Sequence, residues 1–405
     1  MTAISITGMG VISSLGVGRG AFWEGCLAAR SGIREITAFD TDAFSTNVGA
    51  CVVDFKPADY MKPMIYRRMS RISRMAVAAS IEAVDDSGLC LEEMDRKRVA
   101  VVMGTSYGSS SHVDGFYHSL LADGPRGAQP LLFPETVPNA PASHISIYHQ
   151  IQGPNATFCQ NEISAETGMA YARSLLDQNI VDVVLVGGAE ELSEILFGCY
   201  DAVDGLNKIW VKDGEDIQPK PGDGLVLGEG AAVLVMERRE SARKRGAKIY
   251  GSLVADIIAG GVSAMGHYSM KGRPIARAIV RCMEKAGIQP VDIDHVSISA
   301  NYAKELDAME FEQVASCLQP LAEDVWVSPL KYLIGDFGAA GTTRAVAILL
   351  SLYHQISLPA IPLSILKMQE KNPLEWQPYG RGTINHALMT GTTFGGGTAS
   401  LIFSR

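Results

Sequence analysis

The sequence predicts an α/β protein in which short apolar strands alternate with longer amphipathic helices around a covered sheet. Three observations carry that reading. Apolar runs such as Val99–Met103 and Asp182–Val186 stop at glycine, as strands buried on both faces do. Segments such as Pro274–Ala286 place apolar residues at helical spacing. The alternation then recurs in the second half of the chain, which argues for βαβ units, a largely parallel sheet and two similar halves packed on one core. The halves are placed at residues 1–248 and 249–405.

Ser5–Met9 reads as a first strand ending in the turn Gly8-Met9-Gly10. Met75–Ser87 has small and apolar residues at helical spacing. Val99–Met103 is a strand stopped by Gly104, and Glu166–Gln178 is a helix. Asp182–Val186 is a buried strand ended by Gly187-Gly188. Asp213–Gly224 is the most loop-like stretch, and Arg238–Lys248 is a solvated helix end between the halves. Leu253–Ile258 and Val296–Ala300 read as strands, Pro274–Ala286 and Glu305–Cys317 as helices. Gly341–Leu352 is a small-residue helix entered through Gly338-Ala339-Ala340-Gly341. Met389–Gly397 reads as a Gly/Thr turn before a last strand, Ala399–Phe403.

Composition excludes several classes. The chain has 405 residues, 47% of them hydrophobic, which is ample for a core. A net charge of -9 opposes phosphate, so no nucleic-acid partner is expected. No apolar run approaches the ~20 residues that span a bilayer, and the first residues carry no basic, apolar leader. The seven cysteines include no CxxC pair, which fits a reduced cytoplasm with no zinc cluster or disulfide framework. Each cysteine reads as a small buried hydrophobe.

An ordered series of motifs resembles the ketosynthase (β-ketoacyl-acyl carrier protein synthase) branch of the thiolase fold. Ile6-Thr7-Gly8-Met9-Gly10, Phe22-Trp23 and Ser31-Gly32-Ile33 match its opening. Gly153-Pro154-Asn155 matches the turn before its nucleophile, and Val186-Gly187-Gly188-Ala189-Glu190 the strand end after it. Gly222-Asp223-Gly224-Leu225-Val226-Leu227-Gly228-Glu229-Gly230 is similar to a family segment that starts with arginine. Gly338-Ala339-Ala340-Gly341 and Phe394-Gly395-Gly396-Gly397-Thr398 complete the series. The resemblance implies thiolase-like duplicated halves in a layered α-β-α-β-α architecture, with no cofactor and no metal.

The catalytic positions depart from the family. Its cysteine, activated on a sharp turn at a helix start, falls at Glu162. Its first histidine precedes an Asp-x-x-Glu pair, kept here as Asp307 and Glu310, and Asn301 stands in its place. Its second histidine lies in a Lys-Ser-x-x-Gly-His pattern. That segment here is Lys331-Tyr332-Leu333-Ile334-Gly335-Asp336, so the lysine stays and Asp336 replaces the histidine. A carboxylate is a poor substitute for a thiolate, because its mixed anhydride lies uphill of a thioester. Asp336 would repel the enolate that the histidine stabilises. Removing a nucleophile alone costs ~10⁶ in rate, so no condensation is expected. A lone buried carboxylate needs a partner, and Lys331 is expected to pair with Glu162.

Such a chain resembles the chain-length factor (ketosynthase-β) of type II polyketide synthases. The resemblance implies a heterodimer with a catalytic ketosynthase-α, an acyl carrier protein as partner, and a role in shaping the tunnel. Phe116, Tyr117, Leu120, Leu121 and Phe133 are candidates for the tunnel cap. Arg67, Arg68 and Arg71, with Arg74 on the same helix face, are candidates for carrier-protein docking. The tail lacks the family's second phenylalanine, a gate to the active site. Two alternatives stand: a malonyl-carrier-protein decarboxylase using Glu162, and a homodimeric acyl-chain binding protein. Cys159 reads as a buried strand cysteine, and His144 and His149 as structural histidines.

Overall fold

The computed structural model describes residues 3–212, 217, 219–264, 266–268, 273–318, 326–363, 376–378 and 383–405. Strand β1 spans Ile4–Ser13 and is followed by β2 (Val99–Gly104), β3 (Asn155–Phe158), β4 (Val183–Glu190) and β5 (Gly230–Arg238). The second half adds β6 (Gly251–Gly260), β7 (His295–Ser297), β8 (His386–Thr392) and β9 (Gly397–Ser404). The longer helices are α1 (Arg19–Leu27), α2 (Arg71–Ser87), α3 (Ser110–Asp123), α4 (Ala140–His149), α5 (Ser164–Asp177), α6 (Glu194–Ala202), α7 (Pro274–Ala286), α8 (Lys304–Cys317) and α9 (Ala340–His354).

The strands follow the order β7-β8-β9-β6-β1-β5-β4-β2-β3, with the short strand Gly16–Val17 added beside β1. The two parts of this sheet join where Ile4–Ile6 pairs with Gly251–Leu253. Period-2 alternation sorts the side chains into separate cores. Val183 and Leu185 face α2 with Met75 and Ala79. Their neighbours Val184 and Val186 face Met169 of α5 and Val346 of α9. Across that middle layer, Met389 and Leu401 close the same core, while Leu388 and Ile402 turn outward to Ile275 and Ile279 of α7 and Leu306 of α8. The layers therefore run α2 with α4, sheet, α5 with α9, sheet, α7 with α8.

The sheet is mixed rather than largely parallel. Only β2–β3, β2–β4 and β7–β8 pair in parallel. β4–β5, β5–β1, β1–β6, β6–β9 and β9–β8 are antiparallel. Helices cover both faces, so antiparallel strands are as continuously apolar as parallel ones.

Glycines expected to end strands lie inside them. β1 runs through Gly8 and Gly10, because a Cβ there would lie 2.2 Å from Ala83 O and 2.0 Å from Ala79 O of α2. Beyond Ile6, β1 has no β6 neighbour, and α2 takes over. Asp86 accepts the Met9 N–H at 3.0 Å and Glu82 the Val11 N–H at 3.2 Å, which satisfies the exposed strand edge. β4 likewise continues through Gly187 and Gly188, where a Cβ would meet Ala232 O at 2.3 Å and Ala339 at 2.9 Å. The final turn is shorter than expected. β8 extends to Thr392, and only Thr393–Gly396 turn before β9, with Gly395 and Gly396 at φ 82° and 89°. Pairing of the strand at Val296 stops at Ser297, and the solvated segment between the halves is the short helix Arg239–Lys244. Residues 213–216 and 218 of the expected loop lie outside the described residues. Among the described residues no helix is long and apolar enough to cross a membrane.

Close packing at β1 gives a direct test. Gly10→Ala should destabilise by roughly 1–3 kcal/mol or more, the cost of overpacking, read as a lower urea midpoint. Gly20→Ala, with nothing within 4 Å of the added carbon, should be neutral or slightly stabilising.

Candidate functional site

The carboxyl ends of β2, β3 and β4 open toward the start of α5, the edge where α/β sheets place their sites. The chain leaves β3 at Phe158 and turns sharply at Asn161, whose φ is 48°, a left-handed conformation that asparagine tolerates. Ser164 holds the turn by accepting the Gln160 N–H at 2.8 Å and donating to Asn161 O at 2.6 Å. Glu162 follows Asn161 and is buried. Its Oε2 accepts the Thr393 hydroxyl, and its Oε1 has no hydrogen-bond partner. Burial pushes its pKa up to about 7, and the Asp336 carboxylate adds to the rise. The Thr393 bond and the Lys331 charge act the other way.

Lys331 does not pair with Glu162, contrary to the expectation from sequence. Its ammonium lies 2.5 Å from Asp336 Oδ1, with both side chains at most 2% exposed. Asn301 Nδ2 donates to Asp336 Oδ2 at 2.5 Å. The residues in the two histidine positions are thus bonded to each other, and one of them captures the lysine. A bracket of carboxylates holds Asn301 in place. Asp307 accepts the Asn301 N–H at 2.9 Å and the Tyr332 hydroxyl at 2.6 Å. Glu310 accepts the Ser299 N–H at 2.9 Å and the Thr390 hydroxyl at 2.5 Å. Tyr302, at φ 76°, stacks on Tyr332 with centroids 3.8 Å apart. Burial lifts the Asp307 carboxyl to about 7.

Little room remains at this centre. The space bounded by Ser106, Glu162, Glu190, Asp336 and Gly338 has a volume of about 10 Å³, the least that holds one water. A cavity of about 860 Å³ lies next to it. Tyr107 and Tyr200 border both spaces, and their hydroxyls are 3.0 Å apart. Neither tyrosine lies in a motif, and sequence reasoning passed over both. Thr393 was missed as well, although it adjoins the tail motif that starts at Phe394.

The structure scatters the other candidates. Of the expected tunnel cap, Tyr117 lines the large cavity; Phe116, Leu120, Leu121 and Phe133 lie outside its lining. Phe116 packs on Phe133 at 5.8 Å, and Leu121 and Phe133 are exposed. The four arginines do not share one helix face. Ser70 caps α2 by accepting the Ser73 N–H, so Arg67 and Arg68 precede the helix, exposed, after the short helix Pro63–Tyr66. Arg71 is paired with Glu229 at 2.6 Å, its side chain 42% exposed. Arg74 lies over the Tyr66 ring at 5.8 Å.

The cysteine reading needs correction too. Cys26, Cys282 and Cys317 are buried, Cys51 is half-buried, and Cys90, Cys159 and Cys199 are exposed. Cys159 therefore lies at the surface beyond the end of β3, where partial burial and Glu190 push its thiol up, away from a thiolate. His144 is bonded to Glu135, and His149 to Ser80 Oγ at 2.9 Å.

The family model of the beta-ketoacyl synthase N-terminal domain matches residues 1–242, and that of the C-terminal domain matches residues 250–364. The chain belongs to the beta-ketoacyl synthase family. It is 31% identical to 3-oxoacyl-[acyl-carrier-protein] synthase 2 of Vibrio harveyi, over 99% of this chain and 98% of that one. It is 29% identical to putative polyketide beta-ketoacyl synthase 1 of Streptomyces cyaneus, over 99% and 97%. Its fold is similar to the solved ishigamide ketosynthase/chain length factor, with TM-score 0.86 and 26% identity over 100% and 99% of the two chains. The layered architecture is thus that of the thiolase-like ketosynthases.

Two outcomes follow from the buried charges. Lys331→Met leaves Asp336 buried without its cation and should cost about 3–5 kcal/mol; adding Asp336→Leu should recover most of that in denaturant unfolding. Glu162 keeps its proton to about 7 in the folded chain, against 4.5 ordinarily. Folding stability therefore falls as pH rises from 4.5 to 7. Glu162→Gln should raise the melting temperature by roughly 2–5 °C at pH 8 and change little at pH 5, as read by calorimetry. Equal gains at both pH values would contradict the protonation assignment.

Proposed function

We propose that this chain is a non-catalytic ketosynthase-like subunit, the chain-length factor of a type II polyketide system. It pairs with a cysteine-bearing ketosynthase-α, which brings the thiolate and the histidines, and it shapes the tunnel for the growing acyl chain. The Lys331–Asp336 ion pair carries this reading. It occupies the place where an enolate would need a neutral or cationic donor, and it sets an anion there instead. The space of about 10 Å³ beside it admits no malonyl thioester. Arg67 and Arg68, exposed ahead of α2, are the surface offered to an acidic acyl carrier protein. The similarity to a structure named a ketosynthase/chain length factor supports the same assignment.

One observation favours a second reading. Glu162 Oε1 is unpartnered, and its carboxyl sits near neutrality, where a general acid or base works best. A decarboxylase using Glu162 would exploit that.

Co-expression with a cysteine-bearing ketosynthase separates the two. The proposed function expects a stable heterodimer, CO₂ release from malonyl-carrier protein at background for this chain alone, and no change in that background with Glu162→Gln. Release well above background that Glu162→Gln abolishes would establish the decarboxylase. Failure of any ketosynthase partner to co-purify would remove the heterodimer.

A further inference from the structure

The cavity of about 860 Å³ is the size of a small-molecule site, ~300–1,000 Å³, and the residues of the catalytic positions leave it unused. Its character is set by rings. Tyr107, Tyr117, Tyr200, Tyr268 and Phe394 all line it. Tyr107 and Tyr200 meet edge-to-face at 89°, with centroids 6.4 Å apart, at the end next to Glu162. Tyr268 and Phe394 lie closer to parallel, 32° apart at 4.5 Å. Ile195 and Leu196 of α6 add aliphatic surface to the lining.

Three carboxylates line the cavity, each beside a basic side chain. Asp204 is paired with Lys208 at 2.7 Å, while Asp114 lies 3.4 Å from His118 and Glu305 3.5 Å from His267, ion pairs only when those histidines are protonated. Lys304 is exposed. The polar groups at the inner end include the Tyr107 and Tyr200 hydroxyls and Asn161. Burial and the Glu162 carboxylate push both phenols up, so both stay protonated; one hydroxyl donates to the other, and the second O–H can donate to a carbonyl.

We propose that this cavity takes a planar, conjugated acyl chain in preference to a saturated one, an inference that rests on the reading of the chain as a housing for a growing chain. A conjugated chain presents π faces and edges to rings already set at both stacked and perpendicular angles, a gain beyond the apolar area buried. It also has few rotors to freeze on binding. A saturated chain of equal length gains neither.

The test uses uncharged, soluble probes on the full chain, or on the heterodimer where one co-purifies. The octa-2,4,6-trienoyl and octanoyl thioesters of N-acetylcysteamine are titrated by calorimetry. The trienoyl thioester should bind roughly 5–20-fold tighter, the order expected from two or so aromatic contacts. Tyr107→Leu with Phe394→Leu should bring the ratio to about one while octanoyl binding persists. A wild-type ratio of one or below, binding of neither probe, or a ratio that the double variant leaves intact would overturn the inference. Partner co-purification needs no ligand, so failure of the subunit reading and failure of this inference are read separately.

Discussion

A lysine and an aspartate 2.5 Å apart, both nearly sealed from solvent, govern what this site can do. Taking two such charges out of water is expensive, and close approach with further hydrogen bonds must repay it. The surroundings are arranged accordingly. Asn301 occupies the second oxygen of Asp336, Asp307 fixes the Asn301 backbone, and the Tyr332 hydroxyl fixes Asp307. The stacked Tyr302 and Tyr332 rings fill the space behind them. A centre so arranged sets the Asp336 carboxylate, held by Lys331 and Asn301, where a developing enolate would need a donor. Any anion placed there would face the Asp336 carboxylate across a gap with little water to screen it.

The same pair decides the state of Glu162. With Lys331 engaged, the Glu162 carboxylate is favoured by the Thr393 hydroxyl, the lysine field and its own backbone N–H. Protonation removes the charge that would otherwise need a partner, which is the cheaper solution in an apolar setting. At neutral pH the centre then holds one cation, one anion and two carboxyls near their midpoint, Glu162 and Glu190. Glu166, one turn further along α5, is balanced separately, 3.6 Å from the buried guanidinium of Arg344.

Much of this was legible in the sequence, and the gaps have physical causes. Helical periodicity gave Pro274–Ala286 to the residue, because its apolar stripe faces a sheet and its charges face water. Glycines misled. A glycine after an apolar run reads as a stop, yet Gly8, Gly10, Gly187 and Gly188 are inside strands because neighbouring backbone approaches too closely for a Cβ. Strand direction was invisible, since helices on both faces erase the alternation that separates antiparallel from parallel sheets. Motif spacing did bring Glu162, Asn301, Lys331 and Asp336 into one locality. It could not rank their separations, and so it gave Lys331 the wrong carboxylate. Tyr107 and Tyr200 are 93 residues apart with no motif at either, and only the fold joins them.

Those tyrosines stand between two spaces of very different size. This chain, 31% identical to a 3-oxoacyl synthase, has the layers, a sharp turn at Asn161 and a large cavity. Function is carried by a few side chains set on that frame. On one side of Tyr107 and Tyr200, carboxyls and a lysine have closed the catalytic positions down to about 10 Å³. On the other side the space stays open and is lined with rings. Selection for chemistry would need the two compartments joined, because a thioester must reach the residue at position 162. Their separation by a bonded pair of hydroxyls is what the proposed reading requires of a chain that holds an acyl group without forming its bonds.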